Sequence, residues 1–135
     1  MNYEDIFDVG TVLVVEDDVL AAETLIDKLA VLGHQDTLLA TDLKQADQIL
    51  ETQIIDLALL DVKLAKGART LELGRALSKQ GVRVVFMSGF NRIEMARATQ
   101  GFEFIEKPIS LSRLKATLQR AVIRAPLKAG QAHHI

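Results

Sequence analysis

The chain contains no cysteine, which excludes disulfides and thiolate metal sites and fits a reducing compartment. Histidine is scarce too: His34 follows a glycine and is expected to be exposed, and His133 and His134 stand in the tail, where they are not read as ligands. Positive charge is not in excess, with 16 Lys and Arg against 18 Asp and Glu and a formal net charge of -2. Nucleic acid is therefore not an expected partner, because binding its phosphates requires a basic face. No apolar run approaches the roughly 18 residues of a membrane span. The acidic opening MNYEDIFDVG also lacks the basic-then-apolar order of a signal peptide. The expectation is a cytoplasmic protein with no membrane contact.

What is present is apolar residues in short bursts, 49% of 135 residues. That length and patterning predict one domain, with a lead-in at 1–10, a folded unit at 11–125 and a flexible tail at 126–135. VLVV from Val12, LALL from Leu57, VRVVFM from Val82 and FEFI from Phe102 read as buried parallel strands, and DTLLA from Asp36 as a weaker edge strand. Between them, apolar residues recur with helical period: Ala22, Leu25, Ile26 and Leu29; Leu43, Ala46, Ile49 and Leu50; Leu73, Ala76 and Leu77; Leu111, Leu114, Leu118 and Ala121. Gly33, Gly81 and Gly101 fall where helices should stop, and Ser110 is placed to cap the last one. Strand alternating with helix predicts an open, doubly wound α/β sheet with helices on both faces, whose ligand crevice lies at the carboxyl ends of the strands.

Those ends carry Glu16 and Asp17, Asp61, Ser88 and Lys107. Two like charges about 4 Å apart repel by roughly 4 kcal/mol at an effective dielectric near 20, so three carboxylates on one rim require a positive partner. An all-oxygen set suits a hard cation such as Mg²⁺, and Lys107 adds a permanent positive charge. Carboxylate, Mg²⁺, lysine and hydroxyl around one cavity are the parts of phosphoryl transfer, which is mostly positioning and charge neutralisation. Asp61, closing a strongly apolar strand, is the candidate nucleophile for an aspartyl phosphate.

At this point VLVVEDD, LLDVKL, VVFMSG and FIEKP, in that order and at strand ends, resemble the receiver domain of bacterial two-component response regulators, from about Thr11 to Ala125. The resemblance implies a flavodoxin-like five-stranded parallel sheet of order 2-1-3-4-5. It implies that Asp61 accepts a phosphoryl group from a histidine kinase or phosphotransfer protein. Asp17, Asp61 and the backbone carbonyl of Lys63 would ligate Mg²⁺ directly, and Glu16 would act through a water. Ser88 would hydrogen-bond the phosphoryl group and Lys107 would pair with it. Ser88 and Phe104 match the switch positions, and Lys107-Pro108 matches a cis peptide bond.

Three departures stand out. Ala65 occupies a position where the family usually carries proline, which suggests a more mobile loop. Lys63 is placed to pair with Glu16 or to reach the phosphate, and would set the lifetime of an aspartyl phosphate. Lys107 follows Ser88 by only 19 positions, fewer than the family spacing. NRIEMARATQ then has room for barely two or three turns at 3.6 residues each, so the fourth of five helices is expected to be short or disordered.

Each residue also has a plainer reading. Asp17 and Asp18 could be acids near a helix N-terminus, and Asp18, outside the matched pair, is read chiefly as an N-cap. Ser88 beside Gly89 could be turn chemistry, Lys107 a solvated loop lysine, and Phe104 ordinary core. Arg92, Arg97, Arg113, Arg120 and Arg124 read as solvated helix faces. The combined reading is a stand-alone receiver, a phosphoacceptor signalling domain rather than an enzyme, acting by altered protein contacts or onward relay as a monomer or weak homodimer. A phosphorylation-independent receiver-like interaction module is the alternative. An aspartate-nucleophile phosphatase is disfavoured because such enzymes resemble a pattern with an acid two positions beyond the nucleophile, where Lys63 stands.

Overall fold

A computed structural model describes residues 10–89 and 97–124. The apolar runs form β1 (Val12–Val15), β2 (Thr37–Ala40), β3 (Leu57–Asp61), β4 (Arg83–Ser88) and β5 (Glu103–Glu106). Between and after them lie α1 (Val19–Val31), α2 (Leu43–Thr52), α3 (Leu71–Lys79) and α4 (Leu111–Arg124), with a 3-10 turn over Ala65–Gly67. All pairings are parallel and the order is β2-β1-β3-β4-β5. The expected doubly wound sheet is therefore present, with β2 at one edge. The expected short fourth helix falls mainly outside the described residues, which include only its helical end at Arg97 and Ala98. All of the lead-in but Gly10, and the tail, lie outside them as well.

Alternation along each strand divides the core in two. Leu13, Val15, Ala58, Leu60, Val84 and Phe86 share a face with Ala46 of α2 and Leu77 of α3. Val12, Val14, Leu57, Leu59, Val85 and Met87 share the other with Leu25 and Leu29 of α1 and Leu114 and Leu118 of α4. Each fully buried Val, Leu or Phe contributes roughly 1.5–3 kcal/mol, so burial on both faces fixes the central strands rigidly and with them the residues at their ends.

Helix ends follow the glycine signals. Beyond α1, Gly33 (φ 95°) lets its own N–H reach Ala30 O at 3.0 Å and the His34 N–H reach Leu29 O at 2.8 Å, a paired C-terminal cap. The same turn folds His34 back against the helix end, so this side chain is 4% exposed rather than exposed as expected. On α3 the buried positions are Gly74 and Leu77, while Ala76, expected on the inner face, is exposed. Gly74 takes that place because the helix lies directly on β4: a Cβ there would come 2.3 Å from Phe86 Cζ.

Candidate functional site

The three consecutive acids after β1 have separate surroundings. Glu16 continues the ladder, its N–H donating to Ala40 O at 3.0 Å, and its side chain is buried at 2% exposure. Asp17 is half-buried, and its Oδ2 accepts the Ala65 N–H at 2.9 Å. Asp18 is exposed and caps α1, its Oδ1 accepting the Ala21 N–H at 3.1 Å, as the plainer reading holds.

Asp61 is the last residue of β3 and is 6% exposed. Lys107, immediately after β5, donates from Nζ to Asp61 Oδ2 at 2.9 Å and to Glu16 Oε1 at 2.5 Å. One ammonium therefore bridges two of the three acids. Burial alone would lower the Lys107 pKa, but its hydrogen bonds to Glu16 and Asp61 hold it above the ordinary value. Glu16 moves the other way from a usual carboxylate: burial, together with the adjoining Asp61, pushes it up to about 7 despite Lys107. The value rises because a negative charge is costly in this buried pocket.

Ser88 ends β4 fully buried, and its carbonyl accepts the Lys107 N–H at 3.0 Å, which sets Lys107 directly beside the hydroxyl-bearing strand end. The Lys107-Pro108 peptide is cis. Phe104 lies on β5 in register with Phe86 and is half-buried against the core face that contains Leu13 and Leu60. Lys63 is exposed, with its backbone bridged to Arg69. All five strand-end groups expected from the sequence thus gather on one rim.

Two participants were not anticipated. Thr70, fully buried before α3, does not use its hydroxyl to cap that helix. It donates instead to the Asp61 carbonyl at 2.8 Å, while the Thr70 N–H donates to Val62 O at 3.1 Å. The hydroxyl and amide together clamp the backbone that presents the Asp61 carboxylate. A β-branched hydroxyl residue just ahead of an apolar helix was the only signal in the sequence, and it reads as an ordinary cap. The Ala65 amide is the second, and no side chain announces it.

Glu16, Asp17 and Asp61 each offer a carboxylate oxygen, all within 4.8 Å of one another. Glu16 Oε2 is buried without a hydrogen-bond partner. Hard oxygen donors around an acceptor that lacks a donor fit a divalent cation such as Mg²⁺. Beside this rim a cavity of about 520 Å³ runs between α1 and the segment after β5, lined mainly by apolar groups including Leu20, Leu25, Met87 and Ile109. Lys28 Nζ donates across it to Ile109 O at 2.6 Å. No helix among the described residues is long and apolar enough to cross a membrane.

A family model described as the response regulator receiver domain matches residues 12–119. The transcriptional regulatory protein ZraR of Escherichia coli K12 is 31% identical over 116 residues, covering 82% of this chain and 26% of its own length. The regulatory protein VirG of Rhizobium rhizogenes is 30% identical over 121 residues, covering 85% of this chain and 49% of its own. The chain thus spans about a quarter to a half of these curated relatives. Among solved structures, SdrG from Sphingomonas melonis Fr1 superposes with a TM-score of 0.74 at 25% identity, covering 84% of this chain and 97% of that one. The receiver domain of PhyR from Erythrobacter litoralis gives 0.74 at 24% identity, covering 88% and 94%, a likeness of fold.

Proposed function

The chain belongs to the response regulator receiver domain family, and from that premise we propose that it accepts a phosphoryl group on Asp61, in a Mg²⁺-dependent reaction, from the phosphohistidine of a histidine kinase or phosphotransfer protein. The observation that carries this reading is Lys107 bridging Glu16 and Asp61 within a three-carboxylate cluster at the strand ends. Asp17, Asp61 and the Lys63 carbonyl are the proposed metal ligands, with Glu16 acting through water. When bound, Mg²⁺ supplies neutralisation of charge on the phosphoryl oxygens. An Asp61 carboxylate oxygen forms the new O–P bond as the N–P bond breaks, and the electron pair leaves on the donor imidazole. The Lys107 ammonium pairs with a phosphoryl oxygen and the Ser88 hydroxyl donates to another. Signalling then follows from a shift that runs through the buried Ser88 and the half-buried Phe104 to the surface beyond them, by altered protein contacts or by relay to a further phosphotransfer protein. The unit that does this is residues 11–125.

Intact-mass measurement after incubation with acetyl phosphate tests the reading. A single phosphoryl adduct that requires Mg²⁺ and is missing from Asp61→Asn is expected. A folded protein that takes up no phosphoryl group under any condition overturns it and favours the phosphorylation-independent interaction module.

A further inference from the structure

Ala65 has no functional group on its side chain, yet its backbone N–H crosses 48 positions of sequence to donate to Asp17 Oδ2 at 2.9 Å. The three acids of the cluster are therefore held by two different devices. Lys107 holds Glu16 and Asp61, and the amide of the loop after β3 holds Asp17. Resting on the reading of Asp17 as a Mg²⁺ ligand, we propose that the Ala65 amide is a positioning group for that metal, orienting the Asp17 carboxylate before the cation arrives.

A carboxylate presents about four lone-pair sites, so one amide bond leaves acceptor capacity for a cation. Asp17 is only half-buried, and a side chain so placed would otherwise lose rotamer freedom on coordination. A bond already made in the folded protein removes that cost from the binding step, as hydrogen bonds to metal-ligating carboxylates generally do. The donor is itself well anchored. Leu64 N–H donates to Ala68 O at 2.8 Å and Thr70 N–H to Val62 O at 3.1 Å, while Lys63 is bridged to Arg69. The loop therefore keeps its shape without the Ala65 bond, and the amide is supplied at a fixed point.

The position allows the donor to be removed with little else. Leu64 is extended (φ -98°, ψ 171°) and Ala65 opens the 3-10 turn, both of which suit proline at 65. Proline there deletes the N–H that alanine provides.

Mg²⁺ titrations followed by ¹H-¹⁵N spectra of the wild type, Ala65→Pro and Ala65→Ser read binding and folding together. Ala65→Pro should raise the Mg²⁺ dissociation constant about fivefold or more, and Ala65→Ser, which keeps the amide, should stay within about twofold of wild type. An unchanged or lower constant in Ala65→Pro overturns the proposal alone, as does an equal loss in Ala65→Ser. A wild type without Mg²⁺-dependent shifts overturns it together with the metal reading beneath it. A measurement on the wild type alone serves even if the proline variant does not fold. Solvent exchange of the Ala65 amide should stay as slow or become slower at saturating Mg²⁺, whereas faster exchange means that the cation displaces the bond and overturns the proposal.

Discussion

Glu16 is the residue whose chemistry departs furthest from its type. With burial first and Asp61 second, its pKa rises from 4.5 to about 7 in the metal-free protein. Between those values the folded state keeps a proton that the unfolded chain has released, so the contribution of Glu16 to stability falls as pH rises through that window. In EDTA, the unfolding free energy of wild type minus that of Glu16→Gln should drop by up to about 3 kcal/mol over the window, read by urea unfolding at a series of pH values. The raised Lys107 pKa starts from 10.5, so Lys107 stays charged throughout and adds no slope. Saturating Mg²⁺ should flatten the difference, because a cation favours the ionised carboxylate, and a flat difference already in EDTA would place Glu16 in a wetter pocket. At this scale the sequence was legible where a charged or hydroxyl side chain ended an apolar run. Glu16, Asp17, Asp61, Ser88 and Lys107 stand together on the rim for that reason. It was not legible where a backbone group acts: any residue but proline presents the Ala65 amide, and the Thr70 hydroxyl has the same appearance whether it caps a helix or clamps a carbonyl. His34 is buried rather than exposed because a glycine signals only where a helix stops, whereas the paired cap returns the next residue onto the helix it closes.

At the scale of elements, the contact of α3 with β4 is set by an absence. Gly74 has no Cβ, and one placed there would meet Phe86 Cζ at 2.3 Å and Cε1 at 2.8 Å. Phe86 cannot swing away freely, since it is 1% exposed and packs edge-on against Phe102 with centroids 5.2 Å apart. Gly74→Ala should therefore destabilise the fold by about 1–3 kcal/mol through overpacking, even though alanine is the better helix former by about 1 kcal/mol. A lower urea midpoint is the expected result, and a higher one would show that α3 can lift off the sheet without loss. Helical period alone pointed to Leu73, Ala76 and Leu77 and passed over the glycine, because periodicity counts apolar side chains and a close approach needs none. The central strands β1, β3 and β4 were legible within about a residue because they are buried on both faces and read as largely apolar runs, and the half-buried β2 and β5 were placed as closely by their shorter apolar stretches. Their order was not legible that way: parallel strands pair through backbone groups that every sequence shares, so 2-1-3-4-5 came from the resemblance.

For the whole molecule, the proposed transfer raises the question of how a phosphohistidine would reach a carboxylate that is 6% exposed. A small donor can enter alone, but a donor protein must seat its own surface around the rim. On the α1 side, Leu20 is 74% exposed and lines the apolar cavity of about 520 Å³ that reaches Glu16 and Lys107, and its chain neighbour Val19 is 52% exposed. Exposed apolar groups beside a polar reaction centre are the composition expected of an interface centre. Leu20→Asp places a charge where such a donor would bury a side chain, while Asp18, which caps the helix, is untouched. The rate of phosphoryl transfer from a phosphohistidine protein that serves the wild type should fall about tenfold or more, equivalent to about 1.4 kcal/mol. The rate with acetyl phosphate should stay within about twofold, because that donor makes no contact with α1. Equal loss with both donors would locate the damage at Asp61 itself, and no loss with either would move the docking face away from α1. The comparison separates two properties of one rim: chemistry at the strand ends, which both donors would share, and contact with the bordering helix, which only a donor protein would feel.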